Sequence, residues 1–115
     1  TLYGDGSQSR SFCYVADEVA GLLAVLDGDV PGPVNVGNPD ERTIRETAEL
    51  VRELTGSTSE IIEVSLPEER FGDPRRRCPD ITLARNRLEW EPTTPLRLGL
   101  QRMIGSMRAS GVDAP

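Results

Sequence analysis

Apolar and polar positions alternate along this chain in two rhythms. Leu2 and Tyr3 are β-like and lead into a tight turn at Gly4-Asp5-Gly6, and residues 11–15 form a second β-like run. Val19, Ala20, Leu22, Leu23 and Leu26 then recur at helical spacing, with Asp17 placed to cap that helix and Gly28 to end it. PVNVG, residues 33–37, reads as a short strand of the buried kind. The run TIRE from Thr43 to Glu46 fits a capping box for a second helix. Its apolar face is Ile44, Ala48, Val51 and Leu54, and Gly56 takes the C-terminal cap.

Residues 60–66 alternate as a strand until Pro67 stops it, and a polar, basic loop runs on to Pro79. Asp80 is expected to cap a short third helix carrying Ile81, Ala84 and Leu88, with Trp90 packed across it. Thr94-Pro95 starts a fourth, the proline at the tolerated first position. Leu96, Leu100, Met103, Ile104 and Met107 are its expected buried stripe.

Short strands alternating with amphipathic helices predict an α/β fold. Three strands make an incomplete sheet, since a sheet ordinarily holds about five or six. The expectation is therefore the end of a larger α/β enzyme that starts upstream of Leu2. Residues 1–110 form its one folded portion and residues 111–115 a frayed tail. So little sheet cannot cover every helical stripe, so some apolar surface is expected to stay exposed and stability to be marginal.

Composition narrows the chemistry. The 115 residues carry a formal net charge of -6, which argues against nucleic-acid and anionic-membrane partners. No apolar run approaches the roughly 18 residues of a membrane span and no leader precedes the first strand, so the expected location is cytoplasmic. There is no histidine, which removes Ser-His-Asp and Cys-His nucleophile schemes. Cys13 and Cys78 lack metal-binding spacing, so no metal site is expected and two reduced thiols are.

Two stretches are candidates for chemistry. In YGDGSQSR, residues 3–10, Gly4 and Gly6 allow close backbone approach to a ligand. Asp5, Ser7 and Gln8 can recognise hydroxyls, and Arg10 offers a planar fork for phosphate. The bland alternative is a hairpin turn with a solvated arginine. The second stretch is Arg75, Arg76 and Arg77 followed by Cys78-Pro79-Asp80, a local anion site or simply a solvated basic loop. Tyr14 reads as a strand residue with a packing role. Asn35, Gly37 and Asn38 read as turn residues.

In order and spacing, YGDGSQSRSFCYVADEVAGL, PVNVGNPDERTIRETAELV and RRRCPDITLARNRLEWEPTTPLRLGL resemble the C-terminal half of extended short-chain dehydrogenase/reductases of the NAD-dependent epimerase/dehydratase family. Within that family they are most similar to UDP-glucuronate decarboxylases. Arg10 is followed by Ser11 where UDP-galactose-type epimerases resemble one another in carrying an acidic residue, and PDIT (residues 79–82) also has the decarboxylase form. The resemblance implies the C-terminal substrate-binding part of a Rossmann-type fold, a UDP-sugar ligand, NAD as cofactor of the complete enzyme and a homodimeric parent.

Carried over, Tyr3 and Asp5 lie against nucleotide or sugar. Arg10 holds the pyrophosphate or faces the nicotinamide, Arg77 contacts the diphosphate, and Asp80 lies near the ribose. The stretch from Glu68 to Gly72 is longer than the family's usual link, which leaves Arg76 an alternative to Arg77. Fragments of an epimerase or a 4,6-dehydratase, and a non-catalytic nucleotide- or partner-binding module, are the competing readings.

The family's reaction oxidises sugar C4, releases the C6 carboxylate as carbon dioxide and re-reduces with bound NADH. It needs a glycine-rich dinucleotide turn and a Tyr-x-x-x-Lys pair. This chain has neither, and all 13 of its basic residues are arginine. It is accordingly expected to release no carbon dioxide from UDP-glucuronate with added NAD. Release above a no-protein control would overturn that expectation.

Overall fold

The computed structural model of the chain describes residues 1–68 and 72–111. Its elements run β1 (Leu2–Tyr3), β2 (Ser9–Ser11), α1 (Val15–Asp27), β3 (Glu41–Thr43), α2 (Ile44–Thr55), β4 (Glu63–Val64), α3 (Thr82–Leu88) and α4 (Leu96–Ala109). The strands form two separate pairs. β1 lies parallel to β4 with Leu2 opposite Glu63, and β2 lies antiparallel to β3 with Arg10 opposite Arg42.

The capping box forms as the sequence predicts. Thr43 Oγ1 accepts from the Glu46 backbone N–H at 3.1 Å, and Glu46 Oε2 accepts from the Thr43 N–H at 2.8 Å. Gly56 closes α2 at φ 69° and ψ 20°, the left-handed conformation that glycine adopts without steric cost. Arg97 then grips Glu53 with both guanidinium nitrogens, at 3.0 and 2.8 Å, and ties α4 to α2.

Several expectations are corrected. The strand expected at residues 11–15 occupies Ser9–Ser11, where β3 supplies hydrogen-bond partners, and Tyr14 is already the N-cap of α1. Asp17 therefore lies inside the first turn and does not cap it. Its carboxylate accepts from the Thr94 N–H at 2.8 Å and the Thr93 hydroxyl at 3.1 Å, stapling α1 to the approach to α4. Residues 33–37 form no strand, and they are only partly buried: Val34 and Val36 pack against the core while Pro33 and Asn35 are exposed. The strand expected at 60–66 shrinks to Glu63–Val64, the part β1 can reach. Pro95 is the N-cap of α4, not its first helical residue. Met103 and Met107 lie exposed, because α4 meets α2 along Leu96, Leu100 and Ile104, which are half-buried.

The core is small. Ile81, Ala84 and Trp90 are buried, with Ala24, Val34, Val36 and Leu88 packed around them. α1 enters this cluster by its smallest residues, so its large apolar side chains, Val15, Val19, Leu22, Leu23 and Leu26, face outward. At Gly21 a Cβ would collide with Val36 and come within 2.8 Å of the Trp90 ring. Gly21→Ala gains about 1 kcal/mol of helix propensity but overpacks a seam, which costs about 1–3 kcal/mol. Thermal unfolding should show a net loss, whereas Gly105→Ala, in open space on α4, should gain about 1 kcal/mol. A higher melting temperature for Gly21→Ala than for the parent would mean that this seam is loose.

Candidate functional site

The turn that leads into β2 is built by Asp5. Its Oδ1 accepts from the Ser7 N–H at 2.9 Å and the Ser7 hydroxyl at 2.6 Å, and these bonds hold the carboxyl below its ordinary range. The Asp5 carbonyl accepts from Arg45 Nε and Nη2 at 3.2 and 2.9 Å, which docks the turn on α2. Gly6, at φ 73°, passes so near Leu2 that a Cβ there would come within 2.9 Å of its Cδ1. Tyr3 sits beside this turn on β1, half-exposed.

β2 is flanked on both sides. β3 lies along one edge, and the basic segment pairs in parallel along the other. Ser9 donates its N–H to the Arg75 carbonyl at 2.9 Å and accepts from the Arg77 N–H at 3.3 Å, bracketing Arg76. Residues 75–77 remain the expected loop, joined to β2 by a single parallel bridge at Arg76.

Alternation then sorts the side chains, since paired residues share a face and neighbours take opposite ones. Ser9, Ser11, Glu41, Thr43 and Arg76 fall on one face, as contacts from Glu41 to both Ser9 and Arg76 require. By the same alternation Arg10, Arg42 and both neighbours of Arg76, Arg75 and Arg77, fall on the other. Arg42 is neutralised by Asp40 at 3.2 Å. Arg10 donates to the Ser9 carbonyl at 2.7 Å and to Gln8 Oε1 at 3.5 Å, and meets no carboxylate among the described residues. The Arg77 guanidinium has no partner among the described residues. Like charges set side by side repel, so this face is suited to an anion.

Asp80 stands three residues further on, across Pro79. Its Oδ1 accepts from the Thr82 N–H at 2.9 Å, which lowers its pKa, and its carbonyl accepts from Asn35 Nδ2 at 3.1 Å. Ile81, not the expected Asp80, is the N-cap of α3, and Asp80 instead satisfies the Thr82 N–H from the residue before it. The backbone pairing therefore sets Arg10 and Arg77 at adjacent positions, Asp5 lies within electrostatic reach of Arg75, and Tyr3 is on the other strand pair. Asn38 is a turn residue as read, its Oδ1 accepting from the Asp40 N–H. Of the stretch 68–72, residues 69–71 lie outside the described residues, as do residues 112–115 of the tail.

Sequence reasoning missed Glu41 and β3. The alternation of Glu41, Arg42 and Thr43 is polar on both faces and carries no hydrophobic signal. Tyr14 is also reassigned. Its ring packs beside Gly99 of α4, and the Arg102 guanidinium lies 5.4 Å from its centroid, a cation–π distance. Both cysteines are free thiols, and burial pushes Cys13 up to about 11. Among the described residues no cluster of acidic, cysteine or histidine side chains could hold a metal, and no helix is long and apolar enough to cross a membrane. The Gly4–Gly6 turn opens a strand pair and no helix N-terminus, so it does not fit the phosphates of a dinucleotide.

UDP-glucuronic acid decarboxylase 5 of Arabidopsis thaliana is 48% identical over 108 residues, covering 94% of this chain and 31% of the relative. UDP-glucuronic acid decarboxylase 1 of Danio rerio is 48% identical over 104 residues, covering 90% and 24%. The chain thus spans a third or less of the curated relatives it matches. Among solved structures, the UDP-glucose 4-epimerase of Thermotoga maritima, crystallised with UDP-glucose, superposes with a TM-score of 0.87 at 28% identity, over 95% of this chain and 34% of that one. MoeE5, in complex with UDP-glucuronic acid and NAD, gives 0.83 at 32%, over 95% and 36%. The short strand pairs described here correspond to part of those Rossmann-type folds. Residues 1–103 match the family described as GDP-mannose 4,6 dehydratase, and the chain belongs to that family of NAD-dependent epimerases and dehydratases.

Proposed function

We propose that this chain is the sugar-nucleotide-binding segment of an NAD-dependent UDP-glucuronate decarboxylase, the lyase that forms UDP-xylose and carbon dioxide. The observation that carries the reading is the face of β2 beside which Arg10 and Arg77 stand at adjacent positions, neither of them paired with a carboxylate among the described residues. Two planar guanidinium forks at neighbouring strand positions suit a diphosphate better than a single carboxylate. In this reading Arg10 and Arg77 hold the diphosphate. Tyr3 and Asp5 lie toward nucleotide and sugar, and Asp80 lies near the ribose. NAD belongs to the complete enzyme and finds its main site outside these residues, and a homodimer is the parent assembly. Acting alone, the segment binds and orients.

A 4-epimerase is the second reading, favoured by the structural neighbours. The decarboxylase is preferred because its relatives are 44–48% identical to this chain, against 28% and 32% for the two structures above.

Titration with UDP and UDP-glucuronate by calorimetry tests the site. Each charge-assisted hydrogen bond contributes roughly 1.5–3 kcal/mol, so Arg10→Ala and Arg77→Ala should each weaken binding by about ten- to a hundredfold. Arg→Lys should recover only part of this, because the fork is lost. Arg75→Ala should change little. Equal affinities in the parent and both alanine variants would remove the diphosphate from this face.

A further inference from the structure

Glu41 meets donors from two other segments. Arg76 Nε reaches both carboxylate oxygens, at 2.9 and 2.8 Å, and Arg76 Nη2 closes on one at 2.7 Å. The Ser9 hydroxyl donates to Oε1 as well. These bonds hold the Glu41 carboxyl below its ordinary range.

An isolated exposed ion pair contributes little to a fold. This one is not isolated, because it straddles two backbone hydrogen bonds, Ser9 to Arg75 and Arg77 to Ser9. Its carboxylate is only 24% exposed, against 73% for the arginine. The pairing also decides a register. A slip of one residue would swing Arg76 to the Arg10 face and turn Arg75 and Arg77 away from it.

We propose that Glu41 is the positioning residue of the anion-binding face: by engaging Arg76 it fixes the basic segment on β2, so that Arg77 and not Arg76 stands beside Arg10. The ligand half of this statement rests on the diphosphate reading above. The clamp itself does not.

Amide hydrogen exchange by NMR on the 115-residue chain tests the clamp without ligand. Glu41→Gln should speed exchange at Ser9 and Arg77 by about tenfold or more through local opening. The Glu46 amide, held by Thr43, should stay unchanged, and Glu41→Asp should restore part of the protection. Arg76→Gln removes the same pairing from its exposed end and should show the same exchange pattern even if Glu41→Gln folds poorly. Unchanged exchange at Ser9 and Arg77 in both variants would overturn the clamp.

UDP titration tests the ligand half. Removing a negative charge beside a diphosphate should by Coulomb's law alone tighten binding. Loss of positioning instead predicts that Glu41→Gln weakens UDP binding about three- to tenfold. On UDP addition the Arg77 Nε–H resonance should move, and that of Arg76 should not. Tighter UDP binding by Glu41→Gln, or a larger shift at Arg76, would overturn the assignment of Arg77. Failure of the unsubstituted chain to bind UDP at all would sink the diphosphate reading and the ligand half with it, while the exchange data still decide the clamp.

Discussion

Trp90 lies against a helix at the one place where that helix has no side chain. Because Gly21 presents only backbone, the indole sits flush on α1 and closes the space between α1, α3 and the segment around Val34 and Val36. Interiors are packed to crystal-like density, so a contact this close fixes the separation of the elements it joins. Everything else in the small core follows from it. Ile81 and Ala84 complete the cluster on the α3 side, and Ile81 comes only four residues after Arg77. The basic segment is therefore tethered at its far end by packing and along its length by hydrogen bonds to Ser9. Without that anchor the arginines would belong to a free loop.

Function enters where this packing meets β2. A strand three residues long has little stability of its own, yet here it lies between β3 and the segment bridged at Arg76. Its position turns sequence-distant residues into neighbours, since β3 and the basic segment approach from opposite sides. The same alternation separates two jobs. One face is given to internal pairing through Glu41, Ser9 and Arg76, and the other carries cations that no described carboxylate neutralises in full. An incomplete sheet can still be locally exact where a site requires it.

The helices were legible because their signals are local. Thr43 and Glu46 satisfy each other's backbone within one turn, and Gly56 follows where a left-handed residue is needed. Trp90 was legible as a packing residue because a lone large aromatic beside a short apolar helix has few other uses. The strands were harder. Residues 33–37 carry the apolar run of a buried strand, but a strand is defined by its neighbour, and none of the described residues provides one. β3 carries no apolar pattern and exists because β2 pairs with it. Asp17 had the composition of a cap and the job of a staple, a distinction set by Thr93 and Thr94, 76 and 77 positions away. For the site, the resemblance pointed to Arg10 and Arg77. In the proposal above the choice between Arg76 and Arg77 turns on Glu41, a residue that neither motif nor spacing had marked.

The cations of the β2 face are all guanidinium groups, which stay charged at any pH the fold survives. The chain has no histidine to change charge near neutrality, and the buttressing carboxylate of Glu41 is held ionised by Arg76. Acidity in the neutral range is therefore a weak lever on this surface. Dissolved salt is a strong one. The face is partly open to solvent, and at about 0.1 M salt charges are screened over roughly 10 Å. If this face binds an anion as proposed, ionic strength should set the strength of its hold far more than proton concentration.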